Sequence, residues 1–199
     1  MYNFFHMETV KIKHREFQIK ENVNENQFIG LFKGKEYLIY HFDPISEEGK
    51  EYIHYLTRIT NTGIRTPKLY WLDKKAGYSV RENLIGRKAS EVLSEGDLSE
   101  KVYEDLFFNN YMAKMSHMTL NYSPENWLMV GEKLYYMIND FIVFEKNKDL
   151  VDKYIRLWFN TKEFADFCSK NGLNYDKKRI KDEYSTNKEI VLMTCKYYR

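Results

Sequence analysis

The chain has little of what marks exported, disordered or membrane-spanning proteins. Its 199 residues include two cysteines, Cys168 and Cys195, with no C-x-x-C spacing. That is too few for a disulfide framework or a thiolate metal cluster, so a reducing compartment is expected. Only 3 prolines and 9 glycines are present, which excludes an extended low-complexity linker. Net charge is nearly absent: 31 Lys and Arg against 29 Asp and Glu leave +2, supplying no general drive toward nucleic acid or an anionic membrane. No stretch approaches the roughly 18 to 20 apolar residues that cross a bilayer, and no basic segment followed by an apolar one opens the chain. The expectation is a cytoplasmic protein with neither a nucleic-acid nor a membrane partner, whose translation starts at Met1 or Met7.

Aromatic residues are abundant: 17 Tyr, 13 Phe and 3 Trp, 17% of the chain. Each brings a large area for burial, and this length suffices for one substantial core or two small lobes sharing it. Residues 17–23, 27–33 and 36–42 read as three antiparallel strands. Asn24-Glu25-Asn26 and Lys33-Gly34-Lys35 form the turns between them, because Asn and Gly tolerate positive φ. Asp43-Pro44 stops the third strand. Ser46 and the carboxylates after it start a helix whose apolar face recurs at Tyr52, Ile53, Leu56 and Ile59. Residues 68–73 and 78–84 read as two more strands around the turn 74–77.

After Gly86 helical patterning dominates. A long helix is expected over 99–118 and a small hairpin from Trp127 to Ile138 turning at Gly131. Shorter helices follow over 149–159, 162–170 and 175–184, and 188–197 reads as helix or strand. The expected class is α+β, with a lobe over 1–85 of five strands and one helix and a mostly helical lobe over 86–199. Together they would make one compact unit.

Two runs carry chemistry. Asn126 lies in Ser123-Pro124-Glu125-Asn126-Trp127, and Asp140 lies fourteen positions later in Ile138-Asn139-Asp140-Phe141. In kinase-like phosphotransferases an Asn ending the catalytic loop and an Asp opening the next loop hold Mg²⁺ against nucleotide phosphates. Read alone, Asn126 is also a turn residue and Asp140 a cap. With Gly63-Ile64-Arg65-Thr66-Pro67-Lys68-Leu69 and Val80-Arg81-Glu82-Asn83-Leu84-Ile85-Gly86 in the same order, residues 17–141 resemble the small atypical members of the protein-kinase-like superfamily. RIO kinases and aminoglycoside phosphotransferases are the types meant.

The resemblance implies a two-lobed kinase-like fold with ATP and Mg²⁺ as cofactors. It makes Asn126 and Asp140 the metal ligands. Glu51, with Glu48 as alternative, would face the phosphate-anchoring position of the third strand, and Glu82, Asn83 and Leu84 would form the linker that meets adenine. Where the family has V-A-I-K, this strand offers Tyr40 or His41, according to register. A G-x-G-x-x-G loop is absent from 21–30. Asn121 stands at the family's catalytic Asp, and an amide cannot take the hydroxyl proton, a loss of about 10² to 10⁴ in rate. His117 reads as the end of the long helix. Only about eight residues separate Asp140 from the next helical run, too few for a long activation segment.

Three functions follow. The first is a pseudokinase that binds Mg-ATP, has lost or weakened phosphotransfer, and acts in binding or regulation. The second is an active atypical phosphotransferase on a small molecule or itself, with Asp140 or a nearby carboxylate as base. The third is a nucleotide-independent scaffold with a protein partner or as a homodimer, using a surface such as Tyr154–Phe159.

Overall fold

Turn geometry and alternating burial build the first half of the chain into a sheet. The computed structural model describes residues 8–138 and 149–198, so the expectations for Asp140 and for Met1 and Met7 fall outside the described residues. The chain divides into two compact units. The first comprises Met1–Thr60 and Pro67–Leu84, the second Asn61–Thr66 and Ile85–Arg199.

The first unit contains strands Thr9–Ile12 (β1), Arg15–Asn24 (β2), Gln27–Phe32 (β3) and Lys35–His41 (β4), helix Glu47–Ile59 (α1), and strands Leu69–Asp73 (β5) and Tyr78–Glu82 (β6). All six strands are antiparallel to their neighbours, in the order β1-β2-β3-β4-β6-β5. The sequence suggests five strands, and β1 is the addition. It turns into β2 at Lys13, which holds φ 54° without being glycine. The sheet curls, since the Lys13 amide reaches the Asp73 carboxylate of β5 and the Arg15 guanidinium lies 4.4 Å from the Trp71 ring centroid. One face holds a core of Ile12, Phe17, Tyr37, Ile39 and Val80, edged by Phe32, Trp71 and Tyr78.

The other face is covered by α1. Ser46 caps this helix, its hydroxyl oxygen accepting the Gly49 N–H at 3.0 Å, and Glu47 and Glu48 sit in the first turn where the helix dipole favours them. Tyr52, Tyr55, Leu56 and Ile59 are buried, and the Tyr52 hydroxyl is 2.7 Å from Ser79 Oγ of β6.

The second unit contains Arg87–Lys88 (β7), Ala89–Glu95 (α2), Glu100–Met115 (α3), Trp127–Val130 (β8), Lys133–Tyr136 (β9), Lys162–Lys170 (α4) and Glu183–Tyr197 (α5). Strands β7, β8 and β9 form a three-stranded sheet in that order. Residues 149–159 are a π turn, Leu150–Tyr154, followed by a 3-10 turn, Ile155–Trp158, rather than one α-helix. Of the two readings of the C-terminus, the helix is the one formed. Trp127, Trp158, Tyr122, Tyr136, Phe107 and Phe164 are almost completely buried in this unit. Burial of Ile155, Trp158 and Phe159 removes most of the surface that 154–159 would have offered a partner.

The connection after α1 belongs to this second unit. The Arg65 N–H donates to Asn109 Oδ1 of α3 at 2.8 Å, and the Arg65 carbonyl accepts the Tyr136 N–H at 2.9 Å. The Arg65 guanidinium pairs with Asp105, which also accepts the Leu134 N–H at 2.7 Å.

Candidate functional site

Register decides which residue of β4 stands at the strand position of interest. Leu38 pairs with Arg81, Tyr40 with Ser79, and His41 with Tyr78. Because side chains alternate across a strand, Tyr40 shares the α1-covered face with Ser79 and Arg81. Its ring meets Tyr52 at 4.8 Å. His41 lies on the opposite side, exposed and against Tyr78 at 4.7 Å. Of the two candidates, Tyr40 is on the α1-covered face and His41 is on the other. Burial pushes the Tyr40 hydroxyl pKa up, Tyr52 and Glu48 add to the rise, and Arg81 opposes it.

Glu51 is exposed on α1, and the neighbouring Tyr52 turns into the sheet instead. Within this unit Glu51 does not face the β4 position. The alternative, Glu48, is also exposed, but its charge acts on Tyr40. Glu82 closes the end of β6: its N–H donates to the Lys68 carbonyl at 2.8 Å, and its carboxylate accepts the Lys68 N–H at 3.4 Å. The Asn83 amide donates to Glu36 of β4 at 3.2 Å, while Glu36 pairs with Lys20 of β2. Leu84 is half-buried and ends the unit.

The turn from β2 to β3 is organised by Asn24, whose Oδ1 accepts the Asn26 N–H at 3.0 Å. Gly30 has a packing reason to be glycine, since a Cβ there would stand 2.5 Å from Ile39 Cδ1 and 3.2 Å from Phe17 Cβ.

In the second unit Asn121 and Asn126 lie on one tightly held loop between α3 and β8. The helix stops at Met115, and His117 adopts φ 50° just beyond it. Asn121 Oδ1 accepts the Ser123 N–H at 3.0 Å, and the Asn121 carbonyl accepts Trp127 Nε1 at 3.1 Å. A 3-10 turn, Pro124–Asn126, follows. Asn126 is 7% exposed, and its carbonyl accepts the Met137 N–H at 3.0 Å, which ties the end of the loop to the chain leaving β9. The hairpin thus brings Asn126 beside Met137; Asp140 lies outside the described residues. Beneath the loop Tyr122 stacks on Trp127 with centroids 5.7 Å apart, and its carbonyl accepts Trp158 Nε1 at 2.7 Å. Burial raises the Tyr122 hydroxyl well above its ordinary pKa.

A side-chain amide oxygen is a donor type that a hard cation such as Mg²⁺ takes, and Asn126 carries one in the 3-10 turn that ends this loop. Among the described residues no three His, Cys, Asp or Glu side chains converge as a metal cluster, and no helix is long and apolar enough to cross a membrane. A depression of about 940 Å³ in the helical unit, lined by Arg65, Asp105, Phe108, Tyr111, Lys133 and Tyr135 among others, holds none of the candidate catalytic, nucleotide-binding or metal residues. Sequence reading also missed the facing of Arg81. The alternation within Tyr78–Glu82 was its signal, with Val80 on the core side and Ser79 and Arg81 on the α1 side.

No protein-family model and no curated protein matches the chain. Solved structures do. A co-crystal structure of WbdD and the kinase inhibitor LY294002 is similar over 68% of this chain, with a TM-score of 0.50 and 16% identity. The chain spans 35% of the length of that protein. The fold is therefore kinase-like and α+β, with an antiparallel sheet and one covering helix in one unit and mostly helices in the other.

Proposed function

We propose that this chain is a kinase-like protein that binds Mg-ATP, has lost or weakened phosphotransfer, and works by binding or regulation. The observation that carries the reading is the state of Asn121. Its loop keeps an ordered shape, but the side chain at the base position is an amide spent on the Ser123 N–H at 3.0 Å. An amide has no useful proton affinity, so the loop can position a ligand without serving as general base. In this reading Asn126 and Asp140 hold Mg²⁺, Tyr40 occupies the place of the strand lysine, and Glu82, Asn83 and Leu84 offer backbone polar groups to the base.

Titration calorimetry with Mg-ATP, run beside a phosphate-release assay, tests this. The expected result is Mg²⁺-dependent binding, weakened in Asn126→Ala, with no release above the protein-free control. Turnover within the usual kinase range of about 1 to 100 s⁻¹ would instead make the chain an active phosphotransferase. An absence of binding at millimolar ATP would remove the nucleotide. A protein-interaction role is then the second reading, supported by Tyr184, Val191 and Leu192 of α5, which are 79%, 57% and 59% exposed. Mass measured across protein concentration tests for a homodimer.

A further inference from the structure

The depression of the helical unit is assembled from pieces far apart in sequence. Helix α3 lends it Lys101, Glu104, Phe108 and Tyr111, whose spacing puts them on one face of the helix. The hairpin of β8 and β9 runs beside α3: Lys101 pairs with Glu132 at 3.2 Å, and the Leu134 N–H donates to Asp105 at 2.7 Å. Arg65 and Tyr135 belong to the same lining. The volume, about 940 Å³, falls within the range of about 300 to 1,000 Å³ usual for small-molecule sites.

Arg65 is the anchor. Its side chain is 31% exposed, and Nη1 alone serves Asp105, donating to both carboxylate oxygens. Nη2 and Nε make no hydrogen bond among the described residues, so one edge of the planar fork is open. Asp105 fixes the group from one side, and the Tyr135 ring centroid lies 5.8 Å from the guanidinium carbon. A cation held in this way loses little freedom when it binds.

The charges of the lining balance, with Arg65, Lys101 and Lys133 against Glu104, Asp105 and Glu132. Arg65 is paired with Asp105 and Lys101 with Glu132. Glu104 and Lys133 are exposed and make no ion pair among the described residues. A multiply charged phosphate would meet three carboxylates here, whereas a single carboxylate can take the open edge of Arg65 with less repulsion. Ring surface is available beside these charges, since Phe108 is 47% exposed and Tyr111 and Tyr135 are half-buried.

We infer that this depression is a ligand site in its own right, and that it takes an aromatic ring bearing a carboxylate, as in an aromatic amino acid or the carboxyl-terminal aromatic residue of a peptide. The carboxylate accepts two parallel hydrogen bonds from Nη2 and Nε of Arg65, and the ring packs against Phe108, Tyr111 and Tyr135. Glu104, on the same lining, favours an α-ammonium, which a free amino acid carries and a peptide end does not. The site shares no residue with the nucleotide reading, so each stands or falls alone.

The test is a chemical-shift titration of the isotope-labelled full chain with L-phenylalanine, N-acetyl-L-phenylalanine and L-phenylalaninamide, for the wild type, Arg65→Lys and Phe108→Ser. The wild type is expected to bind one or both of the carboxylates and to bind phenylalaninamide, which has none, at least about 10-fold more weakly. Arg65→Lys keeps a cation for Asp105 but loses the second edge of the fork, and it should weaken the carboxylates by about 10-fold or more. Should Arg65→Lys fail to fold, Phe108→Ser at its exposed position decides, with an expected loss of about 10-fold. Tighter binding of phenylalanine than of its N-acetyl form, lost in Glu104→Gln, upholds the site and assigns it to a free amino acid. Equal or tighter binding of the N-acetyl form upholds it and assigns it to a peptide end. No response of the wild type to either carboxylate at about 10 mM, equal binding of phenylalaninamide, or wild-type affinity in the folded variants overturns the inference.

Discussion

Asn121 and an aspartate have nearly the same shape, and the difference between them is the capacity to take a proton. Asn121→Asp is therefore expected to keep the loop, because a carboxylate oxygen also accepts the Ser123 N–H now bonded at 3.0 Å. Phosphate release from Mg-ATP should rise by at most about 10²- to 10⁴-fold over the wild-type background. A variant that binds Mg-ATP but releases no more phosphate would show that the deficit lies elsewhere in the site. Asp149 gives a second prediction at this scale. Its burial alone would raise its pKa, but the Asp152 amide, the Tyr198 hydroxyl at 2.7 Å and the charge of Lys114 hold it below the usual range. With the folded value lower than the unfolded one, its contribution is complete above about pH 4 and is lost as the pH falls through the folded value. The stability difference between wild type and Asp149→Asn, from urea midpoints, should stay constant between pH 8 and 5 and shrink in stronger acid. Among the candidate residues, the shared loop of Asn121 and Asn126 was legible because it is contiguous in sequence. Which of Tyr40 and His41 faces α1 was not, since register is fixed by pairing with β6, about forty residues away.

Helix α1 shows how an element can reverse an expectation drawn from propensity. Replacing a helical glycine by alanine ordinarily stabilises by about 1 kcal/mol, but a Cβ on Gly49 would stand 1.8 Å from the Asp43 carbonyl oxygen. Gly49→Ala is expected to destabilise the protein by about 1 to 3 kcal/mol through this overpacking. A midpoint unchanged or raised in denaturant would mean that the chain before α1 yields easily. The strands from β2 to β4 were legible through their Asn and Gly turns, and α1 and α4 through Ser46 and Thr161, whose side chains accept from Gly49 and Phe164. Strand β1 was not, because its turn places a lysine at φ 54°, and α2 was hidden by its seven residues and a lysine at its N-cap. The connection between α1 and β5 carries a further test. Removing the Asp105 carboxylate would leave the half-buried Arg65 guanidinium and the Leu134 amide without it, so Asp105→Ala should cost about 2 to 3 kcal/mol in urea unfolding.

Over the whole molecule, the architecture is kinase-like and α+β. The sheet unit has a covering helix and the Asn83–Glu36 hydrogen bond of 3.2 Å, and the helical unit has an ordered loop carrying Asn126. In the proposed reading the chemistry departs at Tyr40 and Asn121. The change of class near Gly86 was readable because strand alternation gives way there to helical periodicity. The membership of 61–66 in the helical unit was not, since it depends on contacts to α3 and β9 that no local pattern announces. Nucleotide binding is the claim on which the functional account stands. Its most direct test is thermal unfolding of the wild type and of Asp140→Ala with and without Mg-ATP. The account predicts a rise of several degrees in the wild type at saturating millimolar Mg-ATP, largely absent in Asp140→Ala. Equal midpoints with and without Mg-ATP in the wild type would contradict it.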